Sequence, residues 1–288
     1  MMDETDEIEE VEQIEMENEE PELSDKERKK REREAAKEAR KVQKQKEKTA
    51  RELRRLLGRY AQDEKFATAV AAAIPLFWNS YYTLETADEM DANESFRFFD
   101  WFTYDYDLGD GQRLIDSFGE DMKEELTEYQ EEMVQIWREA RPSGAYEFLD
   151  FDPFSQQFKL KDFFSDEELI VYTTAGTGQA TKGDLILVRP IEVGERLEFS
   201  TLGAYIPKDE IDGLVERMAT AKEAYLAEHP DATHEQFMRA NNHLLVYHAI
   251  AKAEEKERYP VARLDPKRID TKVRGAAKKV AKKLKKRR

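Results

Sequence analysis

Cysteine is absent from all 288 residues, which excludes disulfides, thiolate metal sites and cysteine nucleophiles together. That composition suits the reducing cytoplasm. Long apolar runs are missing too: the longest, Phe66 to Trp78, has thirteen residues and contains Thr68 and Pro75. A spanning helix needs roughly 20, so this stretch reads as a buried helix and no membrane span is expected. Residues 1–23 contain no base and no aromatic side chain. A secretory signal would open with bases followed by an apolar stretch, so the acidic opening implies no export and a cytoplasmic location. Without a cysteine, or a glycine after the initiator, no lipidation is expected either.

What the chain does have is charge sorted into blocks. Residues 1–23 carry twelve acids, residues 25–55 fifteen bases against seven acids, and residues 263–288 thirteen bases against two acids. Given the formal net charge of −16, residues 56–262 are left with −23. A body of that sign repels phosphate at long range, so a polyanion would be held by the basic ends and not by the body.

Patterning predicts an α+β protein in which helical segments flank a small five-stranded antiparallel sheet or partial barrel. Residues 1–24 have too little apolar content to repay ordering and read as a disordered acidic head. Ser24 with Glu27 resembles a capping box, and the glycine- and proline-free run to Arg55 reads as a charged, solvated helix without a coiled-coil seam. A helical subdomain is expected over 56–144, its spacing broken at Gly58 and Pro75. Further helices are expected from about Asn93, with Asp91 or Asn93 as cap, and from Glu120 to Ala140. The period then drops to two, and a β module is expected over 145–207. Its strands are placed at Tyr146 to Phe151, Phe158 to Leu160, Leu169 to Thr173, Asp184 to Pro190 and Arg196 to Ser200, with a hairpin turn at Val193-Gly194-Glu195. Residues 208–260 read as C-terminal helices, Ile211 to Ala227 and Thr233 to Tyr259, and residues 261–288 as a basic tail.

Two blocks stand out within this pattern. One is Phe98-Phe99-Asp100-Trp101-Phe102-Thr103-Tyr104-Asp105-Tyr106-Asp107-Leu108; the other is Gly183-Asp184-Leu185-Ile186-Leu187-Val188-Arg189. With Leu114-Ile115-Asp116-Ser117-Phe118 and Leu160-Lys161-Asp162-Phe163-Phe164, their order resembles an uncharacterised bacterial family over roughly residues 60–210. Some members carry a cysteine-rich SEC-C metal-binding motif. The resemblance implies no assigned activity, and a chain without cysteine does not inherit that metal site.

Asp100 and Asp105 invite an acid/base reading. Five residues apart on one helix, they would diverge by about 140° around its axis. Pairing would need one of them to lie beyond the helix end, and otherwise they would cap helices or bond Tyr and Arg. The stretch Asp105 to Asp116 looks superficially like a calcium loop but puts Gly109 at a ligand position and Asp110 where the turn needs glycine. Gly176-Thr177-Gly178 lacks the third glycine of a phosphate loop. His243 and His248 are five apart and miss the spacing that brings two imidazoles to one metal. The aromatics of Trp78 to Tyr82 and Phe96 to Tyr106 sit among acids and read as core. No metal, cofactor or catalytic set is therefore expected.

The tail carries the strongest functional signal. Val273, Ala276, Ala277, Val280, Ala281 and Leu284 recur at helical spacing, and Arg274, Lys278, Lys279, Lys282, Lys283, Lys285, Lys286, Arg287 and Arg288 fill the rest. Such a segment holds phosphate by counterion release, lies on an anionic membrane or a protein partner, or folds back on the acidic body. The leading expectation is a non-enzymatic cytoplasmic adaptor, its tail touching nucleic acid or ribosomal RNA and its body docking an unidentified protein. The alternatives are an enzyme with an aspartate-containing cleft using Asp100 and Asp105, and a structural or chaperone-like interaction module.

Overall fold

The computed structural model describes residues 24–109, 111–173, 180–201 and 203–257, together with the backbone of 262–263. Two compact units divide the chain, 1–45 and 46–288. Helix α1, Asp25–Tyr60, belongs to both. Its first part is charged and almost wholly exposed, and it starts where Ser24 and Glu27 exchange hydrogen bonds. From Thr49 onward Ala50, Leu53 and Leu57 are buried. Gly58 does not interrupt the helix, contrary to the sequence expectation; one glycine costs only about 1 kcal/mol, which burial of its neighbours offsets.

Helices α2 (Ala67–Phe77), α3 (Ala92–Tyr104), α4 (Leu114–Asp121) and α5 (Glu128–Arg138) follow. Pro75 is accommodated in the last turn of α2, which then ends at Phe77. Of the single helix expected from Glu120 to Ala140, α5 supplies Glu128–Arg138, while Glu120 and Asp121 are the end of α4. Thr127 and Gln130 form a capping box that starts α5, and Met122 and Leu126 fall in the turn before it. Thr127→Ala should therefore cost about 1 kcal/mol, read as a lower urea midpoint.

The sheet is mixed and larger than expected. Its strands are β1 (Gly144–Asp152), β2 (Gln157–Asp162), β3 (Glu168–Tyr172), β4 (Leu185–Val188), β5 (Pro190–Val193), β6 (Arg196–Phe199), β7 (Ala204–Ile206) and the two-residue β8 (Ala262–Arg263). They lie in the order β5-β6-β3-β2-β1-β4-β7-β8. All pairings are antiparallel except β3 with β6, which is parallel, so the five-stranded antiparallel sheet is corrected on both counts. The strand expected from Asp184 to Pro190 is the start of a longer, bent one. Arg189 alone separates β4, paired with β1, from β5, paired with β6 at the far end of the order. Consecutive residues thus join strands from distant places in the sheet, which curls it toward a barrel. A bulge in β1 between Phe148 and Asp150 adds to the bend.

Both faces of the curled sheet are covered. Tyr146, Phe148, Phe158, Leu160, Val171, Ile186, Val188 and Phe199 form one apolar cluster. On the opposite side Ala145, Leu185, Leu187, Ile191, Val193 and Ile206 join the helical core. That is why Leu185 to Val188 are all buried and read as an unbroken apolar run. Helices α6 (Leu214–Glu228), α7 (His234–Asn241) and α8 (His243–Glu255) complete the fold. The expected helix Thr233 to Tyr259 is interrupted at Asn242, and residues 258–259 lie outside those described.

Candidate functional site

Helix α3 is set by Asp91 and Glu94, a capping box whose side chains bond each other's backbone N–H. Phe98, Trp101 and Phe102 bury its inner face. The helix stops at Tyr104, and Asp105 leaves it with φ −121° and ψ −32°. This departure overcomes the angular separation that a continuous helix would impose. Asp100 and Asp105 now reach the same guanidinium.

That guanidinium belongs to Arg189, at the corner between β4 and β5, where its side chain has 0% exposure. Nη1 and Nη2 grip the two oxygens of Asp105 at 3.1 and 2.5 Å, a bidentate fork. Nε donates to Asp100 Oδ2 at 3.2 Å. The remaining donors reach the Arg141 carbonyl at 2.8 Å and Ser143 Oγ at 3.2 Å. Every N–H of the group has an acceptor. The Tyr104 ring lies 4.7 Å from the guanidinium carbon, adding a cation–π contact. Burial works against the charge of Arg189, but the carboxylates of Asp105 and Asp100 outweigh it and hold its pKa above the usual value.

Asp105 is fully buried and its oxygens are taken. Besides Arg189 it accepts from Asn242 Nδ2 at 2.6 Å and stands 3.5 Å from Arg239. Arg239 also donates to the Tyr104 and Ala140 carbonyls. Asn242 lies at the break between α7 and α8, so that break brings the amide to Asp105. Burial pushes the Asp100 carboxyl up while Arg189 pulls it down, and the net direction is up. Asp100 lines a partly open pocket of about 30 Å³ with Trp101, Ser143, Thr201 and Asn242 and apolar walls such as Phe77 and Leu245. Asp105 is not among the residues lining it. The two carboxylates therefore do not open into one cleft, the geometry an acid/base pair requires, and Asp105 has no lone pair placed for a substrate.

The other singled-out residues have local roles. Asp107 Oδ1 accepts from Gly109 and Gly111 N–H at 2.7 and 3.1 Å, fixing a turn. His248 Nε2 meets the Glu210 carbonyl at 2.7 Å, and burial takes His243 down to about 4, leaving it neutral at physiological pH. Most of the aromatic block is core, Trp78, Phe98, Trp101 and Phe102 being buried, whereas Tyr81 and Phe96 are exposed, contrary to the sequence expectation. Burial pushes Asp116 up, but its bonds to Arg113 and Arg138 prevail and hold its carboxyl below the usual range. A group depressed on folding stabilises above the unfolded-chain value of roughly 4, and this contribution is lost as pH falls through the folded value. Asp116→Asn should therefore be less stable than wild type at neutral pH. The gap in urea midpoints should close as the pH drops below about 4.

The remaining candidates of the sequence reading, the Gly176-Thr177-Gly178 loop and the tail residues Arg274, Lys278, Lys279, Lys282, Lys283, Lys285, Lys286, Arg287 and Arg288, lie outside the described residues. Among the described residues no cluster of His, Asp or Glu is placed to hold a metal, and no helix is long and apolar enough to cross a membrane.

No family model, curated protein or solved structure matches the chain. What the structure adds to the two resemblance blocks is a physical link. Asp100 and Asp105 of the aromatic block and Arg189 of the strand block form one buried ion cluster. Arg189, Ser143, Arg239 and Asn242 were not singled out by the sequence as partners of the aspartates. A signal existed for Arg189, a charge at the end of four apolar residues in a strand-like run, and for Asn242, a paired asparagine inside a helical pattern.

Proposed function

We propose that this protein is a non-enzymatic cytoplasmic adaptor whose basic C-terminal tail contacts nucleic acid, ribosomal RNA included, while its acidic body docks a protein. The observation that carries this reading is the division of charge, thirteen bases against two acids over 263–288 beside −23 over 56–262. Counterion release then favours phosphate at the tail, and the negative field of residues 56–262 opposes it over the body. The site geometry supports the non-catalytic part, because the two candidate carboxylates are spent on Arg189, Asn242 and Arg239.

A presented aromatic supports the docking part. Phe154, at the tip of the β1–β2 hairpin, is 97% exposed, and Asp152 fixes the turn by accepting from Phe154 N–H at 2.9 Å and Ser155 Oγ at 2.6 Å. An exposed phenylalanine on such a turn suits insertion into a partner's apolar pocket. Capture of partners from cytosol by the full chain, with and without nuclease, tests the reading. Nucleic acid should be recovered by the full chain and lost from one ending at Leu264, whereas a protein partner should survive both treatments. Equal nucleic-acid recovery by the two chains would exclude the tail.

A further inference from the structure

Over residues 25–45 the ten bases of helix α1 are sorted by face. Lys26, Lys29, Lys30 and Arg33 follow the i, i+3, i+4, i+7 spacing of one helical stripe, and Lys37, Arg40, Lys41 and Lys44 repeat it eleven residues later. Eleven residues make almost three whole turns, so the second group lies over the first with a drift of only about 20°. At about 100° per residue all eight bases fall within an arc of about 120°, along about 27 Å of helix. The five acids of this stretch, Asp25, Glu27, Glu32, Glu34 and Glu38, all fall outside that arc. So do the other two bases, Arg28 and Arg31.

All eight stripe residues are exposed, and among the described residues only Lys41 of them has an ion pair, to Glu38 at 3.5 Å. A helix charged only for solubility gains from acids and bases set at i, i+4 on one face. This stripe instead places like charges at that spacing, Lys26 with Lys30 and Lys37 with Lys41 among them, an arrangement that destabilises a helix on its own and that a polyanion would relieve. The surroundings restrict which polyanion. An anionic membrane would need an apolar face beside the charge, and besides three alanines residues 25–45 hold only Val42 as apolar content. Single-stranded bases would need aromatic side chains to stack on, and this stretch has none. A duplex offers one phosphate per roughly 1.7 Å of its axis, about 16 over the length of the stripe. We propose that this face of α1 binds the phosphate backbone of duplex nucleic acid, holding it without reading its sequence. The inference does not rest on the basic tail, which is a separate segment.

Two pairs of substitutions in the full chain separate position from charge. Arg33→Gln with Arg40→Gln lies on the stripe, and Arg28→Gln with Arg31→Gln lies off it. Each pair removes two arginines from the same helix, and glutamine has nearly the helix propensity of arginine. Affinity for DNA and RNA duplexes of about 30 base pairs, long enough for the stripe and the tail together, is measured against salt. The pair on the stripe should lower the log–log slope by about 1.8 and the affinity about tenfold or more near 100 mM salt, while the pair off it stays close to wild type. Lys30→Gln with Lys37→Gln should reproduce the loss, which guards against a folding defect peculiar to one variant. A loss with only one kind of duplex supports the stripe and names the duplex it takes. Equal losses from the two arginine pairs would overturn the proposal in favour of a diffuse field, and no loss from either would confine binding to the tail. A loss from the stripe pair stands even if ending the chain at Leu264 changes nothing, so the two readings fail separately. Polyglutamate bound as tightly as the duplexes, with the same dependence on Arg33 and Arg40, would overturn the nucleic-acid assignment in favour of an acidic protein segment.

Discussion

Arg189→Met is expected to destabilise the protein by about 3–5 kcal/mol, because it removes one partner of a buried ion cluster and strands the other. Asp105, at 0% exposure, would lose its fork, and Asp100 would lose the charge that opposes its desolvation. For a domain of this size the melting temperature should fall by roughly 10 °C. Methionine is close in length to the arginine stem, so the loss reports charge and hydrogen bonding more than volume. Removing the stranded charges as well, in a triple variant with Asp100→Asn and Asp105→Asn, should recover part of it. Arg189→Lys should be almost as damaging as methionine, since an ammonium cannot make the fork and cannot serve five acceptors. Thermal and urea unfolding of the four proteins decides the matter. A loss below about 1 kcal/mol for Arg189→Met would show that the cluster is not what joins α3 to the corner of the sheet.

Removing residues 265–288 should have the largest effect on binding. Nine basic side chains fall between Arg274 and Arg288. If most engage duplex DNA, the log–log dependence of affinity on salt should have a slope of about −8, and affinity should fall by about 10³–10⁵ between 50 and 200 mM salt. The truncated chain should show a clearly smaller slope, because the other basic segment, residues 25–55, sets seven acids among its fifteen bases. Removing the acidic residues 1–23 should act in the opposite direction, strengthening binding at low salt by freeing the tail from an intramolecular competitor. A full chain whose affinity is flat in salt would place the tail against the body or a protein instead.

The elements were legible where local chemistry decides them. The cap at Asp91, the stripe of Phe98, Trp101 and Phe102, and the alternation of Ala145 with Tyr146 all follow from spacing and burial. Breaks were harder to read when an apolar stripe ran across them. Met122 and Leu126 continue the helical pattern through the turn between α4 and α5, and the Thr127 cap that ends the continuity is a single residue. Asn242 interrupts the final helices while holding Asp105, a reason that exists only in three dimensions. The site was half visible: two aspartates could be named, but their common partner is 84 residues further on in the chain from Asp105. No spacing rule connects such positions. The parallel pairing of β3 with β6 was hidden for the same reason, since it depends on how far the sheet curls before the chain returns.

That curl also limits how another chain can attach. A strand at the border of a sheet offers unpaired N–H and C=O groups to any extended peptide that lies alongside it. Here one border strand, β5, is four residues long and opens with Pro190, which has no N–H to donate, and the other, β8, is two residues long. Among the described residues neither border offers a ladder longer than four residues. At these two borders a partner would therefore be met mainly by side chains, with shape and charge setting the choice.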